Sequence, residues 1–191
     1  MPNVDAVVKV GGSLLEFPTY FTATMSAIDA MRDRRILVVP GGGPFAELVR
    51  KMDSQYSLGD DTAHWMAVLA MDQYAHLIAS RLGRSVLVRT ASEIAAAIPD
   101  NVPVLEPSCW LREADPLPHS WSVTGDSIAA WVARAIGVRR LVLIKAPHAA
   151  GDLLVDDHFI DAISNDVTHA IVTADRLDLL ASALRNDVDA Q

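Results

Sequence analysis

Val7-Val8-Lys9-Val10-Gly11-Gly12-Ser13 is the stretch that decides the fold of this 191-residue chain. An apolar β-branched run breaks into two glycines and is followed by a helical pattern over residues 18–32, which is the order strand, loop, helix. Ile36-Leu37-Val38-Val39-Pro40-Gly41-Gly42-Gly43 repeats this design. Glycine turns let a backbone approach a bulky anion, and a helix N-terminus behind the turn offers unpaired N–H groups. Two such turns, with a lysine in the first, predict a site for a polyphosphate.

Strand patterns alternate with helical patterns along the rest of the chain. Strands are predicted at residues 6–10, 35–39, 86–88, 102–105, 141–144 and 170–173. Helices are predicted at residues 18–32, 45–52, 62–82 with Gly83 as the C-terminal cap, 90–98, 126–136 and 175–184, and residues 106–121 are predicted as a loop. This alternation predicts an α/β fold, a three-layer α/β/α sandwich with a mostly parallel central sheet, and a single domain over residues 1–191.

The composition is that of a soluble globular protein, with 51% hydrophobic and 21% charged residues. A net charge of −8 argues against a nucleic-acid partner, which requires a basic face, but not against a small phosphorylated ligand. Neither a membrane-spanning stretch nor a signal peptide is recognisable, so we expect a cytoplasmic location and no membrane partner. Cys109 is the only cysteine, which excludes a cysteine metal cluster, and no role is assigned to it.

Three features are predicted at the carboxyl ends of strands, where open parallel sheets bind ligands: the two glycine turns and Lys145. A fourth, Thr124-Gly125-Asp126-Ser127, is predicted at the start of a buried helix. Each has a structural interpretation: Lys9 could reach solvent, a Gly-Gly pair could form an ordinary turn, Asp126 could be a helix cap, and Lys145 could lie on the surface. Their joint placement favours a functional site.

Phosphoryl transfer requires little beyond positioning and electrostatic stabilisation of the transferred group. We therefore expect Lys9 to contact the transferred phosphoryl group and the backbone N–H groups of the two turns to hold the phosphates on either side. Asp126 could orient a lysine or act on Mg²⁺, which keeps few protein ligands.

Other patterns are weaker. Residues 41–46 fit a dinucleotide-binding pattern only with a proline inside it. Asp156-Asp157-His158 with Asp161 is interpreted as a solvated acidic face rather than a metal site, and no metal-ligating residue is assigned. Three isolated histidines are predicted to be structural: His64, His76 and His169.

Taken together, Lys9-Val10-Gly11-Gly12-Ser13, Pro40-Gly41-Gly42-Gly43 and Thr124-Gly125-Asp126-Ser127 resemble the amino-acid kinase superfamily. The stretch from His119 to Ser127 and Val155-Asp156-Asp157-His158-Phe159 are similar to its branch from methanofuran biosynthesis. That resemblance implies a kinase that uses ATP and Mg²⁺ to convert an aminomethyl-furanyl-methyl phosphate into its diphosphate. It also favours a homodimer.

The resemblance implies a role for each matching residue. Lys9 would stabilise the transferring phosphoryl group, Asp126 would organise the lysines, and Lys145 would act in catalysis or contact the nucleotide. The residues implied to contact ATP phosphates are Gly11, Gly12, Ser13, Gly41, Gly42 and Gly43. Those implied to contact the substrate are Gly42, Gly43, His119, Trp121, Thr124 and Asp126. From their charge, Asp156 and Asp157 would suit a substrate amine.

The chain departs from the superfamily pattern after residue 144. Roughly two dozen residues that hold the adenine in relatives are missing, more than a typical loop, so the nucleotide-binding region around residues 145–155 is shortened. Two alternatives to the furan-phosphate kinase therefore stay open. One is a non-catalytic ligand-binding or regulatory subunit on the same fold. The other is a kinase for another substrate, such as an isoprenoid phosphate or an acidic amino acid.

Overall fold

The computed structural model describes residues 1–31, 33–98, 100–149 and 155–185, and a six-stranded sheet forms its centre. The strands are β1 (Ala6–Val10), β2 (Ile36–Pro40), β3 (Ser85–Val88), β4 (Val102–Leu105), β5 (Arg140–Lys145) and β6 (Thr168–Thr173). They lie in the order β3-β4-β2-β1-β5-β6, and every pairing is parallel. The predicted mostly parallel sheet is confirmed.

Helices cover both faces of this sheet. They are α1 (Pro18–Ala30), α2 (Gly43–Tyr56), α3 (Asp60–Ala79), α4 (Ala91–Ala97), α5 (Pro107–Ala114), α6 (Gly125–Ala135), α7 (Phe159–Ala162) and α8 (Leu180–Ala183), with short 3-10 turns at Gly12–Glu16 and Leu177–Leu179. Among the described residues, no helix has both the length and the apolar character needed to cross a bilayer. The predicted three-layer sandwich is confirmed.

Side-chain alternation along β1 separates the two layers of the core. Val8 and Val10 pack in the cluster that includes α1, whereas Val7 packs in the cluster that includes α6. Because side chains alternate across a strand, Lys9 points to the face of Val7. Lys9 therefore lies on the α6 side of the sheet, although it is in the middle of a buried strand.

Two helical regions differ from the sequence prediction. Residues 107–114, predicted as loop, form α5, because Pro107 occupies the first helical position, where its fixed φ and missing N–H are compatible with a helix. The short helix predicted at residues 45–52 extends from Gly43 to Tyr56, and α3 begins at Asp60, so that only three residues separate the two helices.

The predicted cap at Gly83 is wrong. Helix α3 ends at Ala79 with Ser80 as its C-cap. Gly83 instead donates its N–H to both carboxylate oxygens of Asp29, at 3.0 and 3.1 Å, and so ties the loop after α3 to α1. The last helix, predicted over residues 175–184, forms as a 3-10 turn followed by α8.

The central position of β1 brings three chain segments to one edge of the sheet. Gly11 N–H donates to the Ile144 carbonyl on β5, at 2.8 Å, and Gly41 N–H donates to the Val10 carbonyl, also at 2.8 Å. The loops after β1, β2 and β5 therefore lie side by side at the carboxyl edge, as the sequence predicted for its site residues.

Candidate active site

The two glycine turns touch each other directly. A Cβ atom on Gly12 would lie 2.1 Å from the nitrogen of Gly43, and one on Gly41 would lie 2.7 Å from the nitrogen of Gly12. Gly43 has a φ of +58°, in the left-handed region that favours glycine. Close backbone packing between the turns is thus one physical reason for these glycines.

The turns do not offer all of their N–H groups to a ligand. Those of Gly11 and Gly41 are already used in the bonds that join the strand ends. Gly12, Ser13, Gly42 and Gly43 lie at the starts of two helical segments, where no carbonyl one turn earlier is available to accept their N–H groups. The same four residues, and neither of the other two glycines, line the cavity described below.

The N-terminus of α6 lies against the second glycine turn and against Lys9. Thr124 is its N-cap, and the Thr124 hydroxyl accepts a long hydrogen bond from Asp126 N–H at 3.4 Å. A Cβ on Gly125 would lie 3.1 Å from the Cα of Gly41 and 3.2 Å from Cε of Lys9. Gly125, which was not among the predicted site residues, therefore lets α6 approach Lys9.

Asp126 bridges the two predicted catalytic lysines. Its Oδ1 lies 2.8 Å from Lys9 Nζ, and its Oδ2 accepts a hydrogen bond of 2.5 Å from Lys145 Nζ. Lys9 is 6% exposed and Asp126 is 4% exposed, so this is a buried cluster with two cations and one anion. A lysine ammonium has three N–H donors, so the ion pair with Oδ1 leaves donors on Lys9 for a ligand oxygen.

The electrostatics of the cluster follow from its burial and composition. Burial alone would raise the pKa of Asp126, but the charges of Lys9 and Lys145 outweigh it and hold that pKa below its ordinary value. Burial, and then repulsion from Lys9, lowers the pKa of Lys145 against the opposing attraction of Asp126 and Asp156. With both lysines protonated, the cluster carries one excess positive charge and suits a phosphate.

A cavity of about 370 Å³ opens from this cluster between α2, α3 and α6. Lys9 and Lys145 line its inner end. Helix α3 extends away from this end. Near the C-terminus of α3, Tyr74 donates its hydroxyl proton to the Gly11 carbonyl at 3.3 Å, so this part of the helix lies beside the first glycine turn. Asp60, the first residue of α3, also lines the cavity. Those two residues are about 21 Å apart along an α-helix. The cavity therefore runs from the lysines outward to the start of α3.

Three carboxylates besides Asp126 line the cavity: Glu16, Glu47 and Asp60. Arg50 lines it too, with its guanidinium 4.1 Å from the centre of the Trp121 ring. Sequence reasoning missed these residues, apart from Trp121. The signal for α3 was present, since residues 60, 63, 64, 67 and 71 line the cavity at helical spacing.

The loop of residues 115–124, which joins α5 to α6, is held over the cavity by the two aromatic residues predicted to bind substrate. The Trp121 indole N–H donates to Asp53 at 2.8 Å, and Trp121 also lines the cavity. His119 lies outside the cavity lining and pairs with Asp61 at 2.6 Å and Asp115 at 2.9 Å. His119 thus ties the loop to α3, and its role in substrate contact stays a prediction.

His64, predicted to be structural, lines the cavity and stacks on His119 with ring centres 4.2 Å apart. Burial, with a smaller contribution from the charge of His119, lowers the pKa of His64 to about 4. Hydrogen bonds to Asp61 and Asp115 raise the pKa of His119 above its ordinary value. The two pKa values thus shift in opposite directions, so that a proton is held by His119 in preference to His64.

We expect this loop contact to depend on pH. Because the pKa of His119 is raised on folding, its stabilisation is complete below about pH 6.5 and is lost as the pH rises through the folded-state value. Thermal unfolding of wild type and His119→Gln should differ by less than about 1 kcal/mol, since the acids are exposed, with a larger difference at pH 6 than at pH 9. A stability difference between wild type and His119→Gln that does not change with pH would contradict this. A double-mutant cycle with Asp61→Asn and His119→Gln isolates the contribution of the His119–Asp61 pair.

Asp156 faces the N-terminus of α6 and not open solvent. Its Oδ2 accepts a hydrogen bond from Thr124 N–H at 2.9 Å, and both its oxygens bond to Ser127. Its proposed interaction with a substrate amine is therefore in competition with four protein donors. The acidic stretch shows no metal centre, since the described residues contain no group of three or more His, Cys, Asp or Glu side chains placed to hold a metal ion.

The predicted nucleotide region falls partly on residues 150–154, which lie outside the described residues. The part before it is tied to the end of β6. Ala174 N–H donates to the Lys145 carbonyl at 3.0 Å, and the Asp175 carboxylate accepts from His148 N–H at 2.9 Å. Lys145 thus links the cluster to the carboxyl ends of β5 and β6.

This parallel sheet, with two glycine turns and a buried lysine–aspartate–lysine cluster at its carboxyl edge, defines a class of α/β protein built to hold phosphates. The profile of the amino acid kinase family matches residues 6–147, most of the chain. The chain belongs to the amino acid kinase family, and the superfamily predicted from the three motifs is confirmed.

One relative is more specific. The chain is 28% identical over 138 residues to the (5-(aminomethyl)furan-3-yl)methyl phosphate kinase of Methanocaldococcus jannaschii. The match covers 72% of this chain and 63% of the relative, so the chain spans less than two thirds of that protein's length. This relative lies in the branch that the sequence resembles.

Solved structures share the fold at low sequence identity. Uridylate kinase from Archaeoglobus fulgidus superposes with a TM-score of 0.71 at 14% identity, covering 95% of each chain. UMP kinase from Bacillus anthracis gives a TM-score of 0.63 at 11% identity, covering 92% of this chain and 89% of that one. These likenesses support the architecture and carry no information about the substrate.

Proposed function

We propose that this chain is a kinase that transfers the γ-phosphoryl group of ATP to the phosphate of a phosphorylated aminomethyl-furan, giving a diphosphate and ADP. One observation carries the proposal: the Lys9–Asp126–Lys145 cluster lines a cavity that is also lined by carboxylates suited to an amine. The furan phosphate is the substrate for which the 28% identical relative is named.

The transfer step needs no covalent intermediate. An oxygen of the substrate phosphate attacks the γ-phosphorus in line, and the bond from that phosphorus to its bridging oxygen breaks. The electron pair stays with the departing ADP. Charge develops on the transferred group and the bridging oxygen, where Lys9 and Lys145 stabilise it, while the N–H groups of Gly12, Ser13, Gly42 and Gly43 position the phosphates.

Charge and size orient the substrate within the cavity. A phosphate prefers the lysines and the N–H groups of the turns, and an ammonium group prefers the carboxylates of Glu16, Glu47 and Asp60. Ala63 and Ala67 on the α3 wall leave room for a small ring between the two ends. The acidic residues of the cavity thus replace Asp156 and Asp157 as the proposed partners of the amine.

The chemistry of the site fits a magnesium nucleotide. Lys9 keeps N–H donors for a phosphate oxygen beside its ion pair with Asp126, and Mg²⁺ would neutralise part of the phosphate charge. The ion would enter with ATP, since phosphates and water supply most of its ligands in such sites. We propose a cytoplasmic homodimer acting in methanofuran- or methylofuran-type cofactor biosynthesis.

A substrate panel tests this function. We expect purified protein with Mg-ATP to release ADP in the presence of (5-(aminomethyl)furan-3-yl)methyl phosphate, and much more slowly with UMP, isopentenyl phosphate or glutamate. Faster turnover of another member of the panel would assign a different kinase.

Calorimetry separates the kinase from a binding subunit. Binding of ATP and of the furan phosphate to the same protein is the expected result. Tight binding of the furan phosphate with neither ATP binding nor ADP release would support the non-catalytic alternative and contradict the proposed activity.

A further inference from the structure

Asp156 is bound to the start of α6 more extensively than a surface acid. It accepts hydrogen bonds from Thr124 N–H at 2.9 Å, from the Thr124 hydroxyl at 2.6 Å, from Ser127 N–H at 3.0 Å and from the Ser127 hydroxyl. The four donors belong to the residues that flank Gly125 and Asp126. The carboxylate therefore fixes the backbone on both sides of the acid that bridges the lysines.

The position of Asp156 is also favourable electrostatically. The first N–H groups of a helix carry a partial positive charge, and a carboxylate placed there is stabilised by it. Asp156 comes from the segment just before α7, whereas Asp126 is on α6, Lys9 lies within β1 and Lys145 ends β5. One side chain from a distant part of the chain thus connects α6 to the transfer site.

We propose that Asp156 is a positioning residue for phosphoryl transfer: it holds the N-terminus of α6 so that Asp126 aligns Lys9 and Lys145. This inference rests on the proposed kinase activity. It assigns to Asp156 a function within the protein in place of the substrate-amine contact suggested by its charge.

The charged groups around Lys145 give the direction of the effect. Lys9 faces it from β1, Asp126 from α6 and Asp156 from the segment before α7. Burial and Lys9 lower the pKa of Lys145, while Asp126 and Asp156 oppose them. Replacing Asp156 by Asn removes one of two negative charges, so it should lower the pKa of Lys145 further.

The small number of lysines makes this shift measurable without any substrate. Lys9, Lys51 and Lys145 are the only three in the sequence, and Lys51 is exposed on α2. In protein labelled with ¹³C at lysine Cε, three signals can be followed against pH by NMR, with Lys51→Arg and Lys9→Met identifying their own signals. Asp156→Asn should move the Lys145 titration to lower pH and leave that of Lys51 unchanged.

Kinetics provide the second readout, with Asp157→Asn as the matched control because Asp157 is the exposed neighbour. In Asp156→Asn we expect kcat to fall by up to about 10²-fold, with a smaller change in KM, and the alkaline limb of the pH profile to move to lower pH. Asp157→Asn should change none of these. A purely structural Asp156 would lower the unfolding temperature without moving the Lys145 titration.

Two results would overturn the inference. One is a folded Asp156→Asn protein whose Lys145 titration and kcat match those of wild type. If that variant does not fold, Ser127→Ala removes one donor to Asp156 while keeping its charge, and full activity of that variant would be the second contrary result. Because the NMR titration needs no turnover, a wild-type protein without kinase activity would refute the proposed function and leave the Lys145 shift separately testable.

Discussion

Replacing Lys9 by Met is expected to lower kcat by about 10²–10³-fold, the loss typical of removing one group that stabilises developing charge. Met retains the apolar stem of the buried lysine, so packing on the α6 face changes little. Asp126 keeps Lys145 as a partner, which leaves a neutral pair in place of a cationic cluster. ADP release under saturating Mg-ATP and substrate measures the effect.

Lys51→Met is the matched control, because it removes a lysine of the same length from the exposed surface of α2. We expect this control to keep wild-type kcat and KM. If Lys9→Met kept wild-type kcat, Lys9 would not stabilise the transferred phosphoryl group, and the assignment of Lys9 to the active site would be wrong.

Asp126→Asn is expected to have the largest effect on stability. It leaves two buried ammonium groups beside each other without a counter-charge, and removing one partner of a buried ion pair typically costs about 3–5 kcal/mol. The loss should shrink toward pH 10, because burial lowers the pKa of Lys145, and its deprotonation removes the repulsion in the variant and one ion pair in wild type. Urea unfolding of both proteins at pH 7 and pH 10 measures it.

Asp166→Asn, in the exposed turn before β6, is the control and should unfold like wild type at both pH values. A loss in Asp126→Asn of the same size at pH 7 and pH 10 would show that packing, and not charge, accounts for it. A folded Asp126→Asn protein should also have a much lower kcat, since both lysines lose their alignment.

The sequence was sufficient to predict the site at the level of strands and turns. Period-two alternation places Lys9 on the face opposite Val8 and Val10, and the glycines that follow identify the edge of the sheet. It could not show that Lys145 would be beside Lys9, because the order of parallel strands depends on crossovers that have no local signature. The adjacency of β1 and β5 decides that contact.

The cavity was missed for a different reason. The prediction ended α2 at residue 52 and began α3 at residue 62, so the outer turns of both helices, with Asp53 and Asp60, were absent from it. The short polar stretch between the two predicted helices is typical of a loop. Tertiary packing of the two helices against each other extends both of them into that stretch. The contacts of Asp156 join residues about thirty apart in sequence and follow no local pattern.

Detection of the product by ³¹P NMR tests the central claim most directly. Each protein is incubated with Mg-ATP and (5-(aminomethyl)furan-3-yl)methyl phosphate. With wild type and with Lys51→Met, the monophosphate signal of the substrate should be replaced by the two coupled signals of a diphosphate. With Lys9→Met, the diphosphate signals should be absent at the same time point. A substrate signal that stays unchanged with wild type, or a diphosphate formed equally by Lys9→Met, would contradict the account.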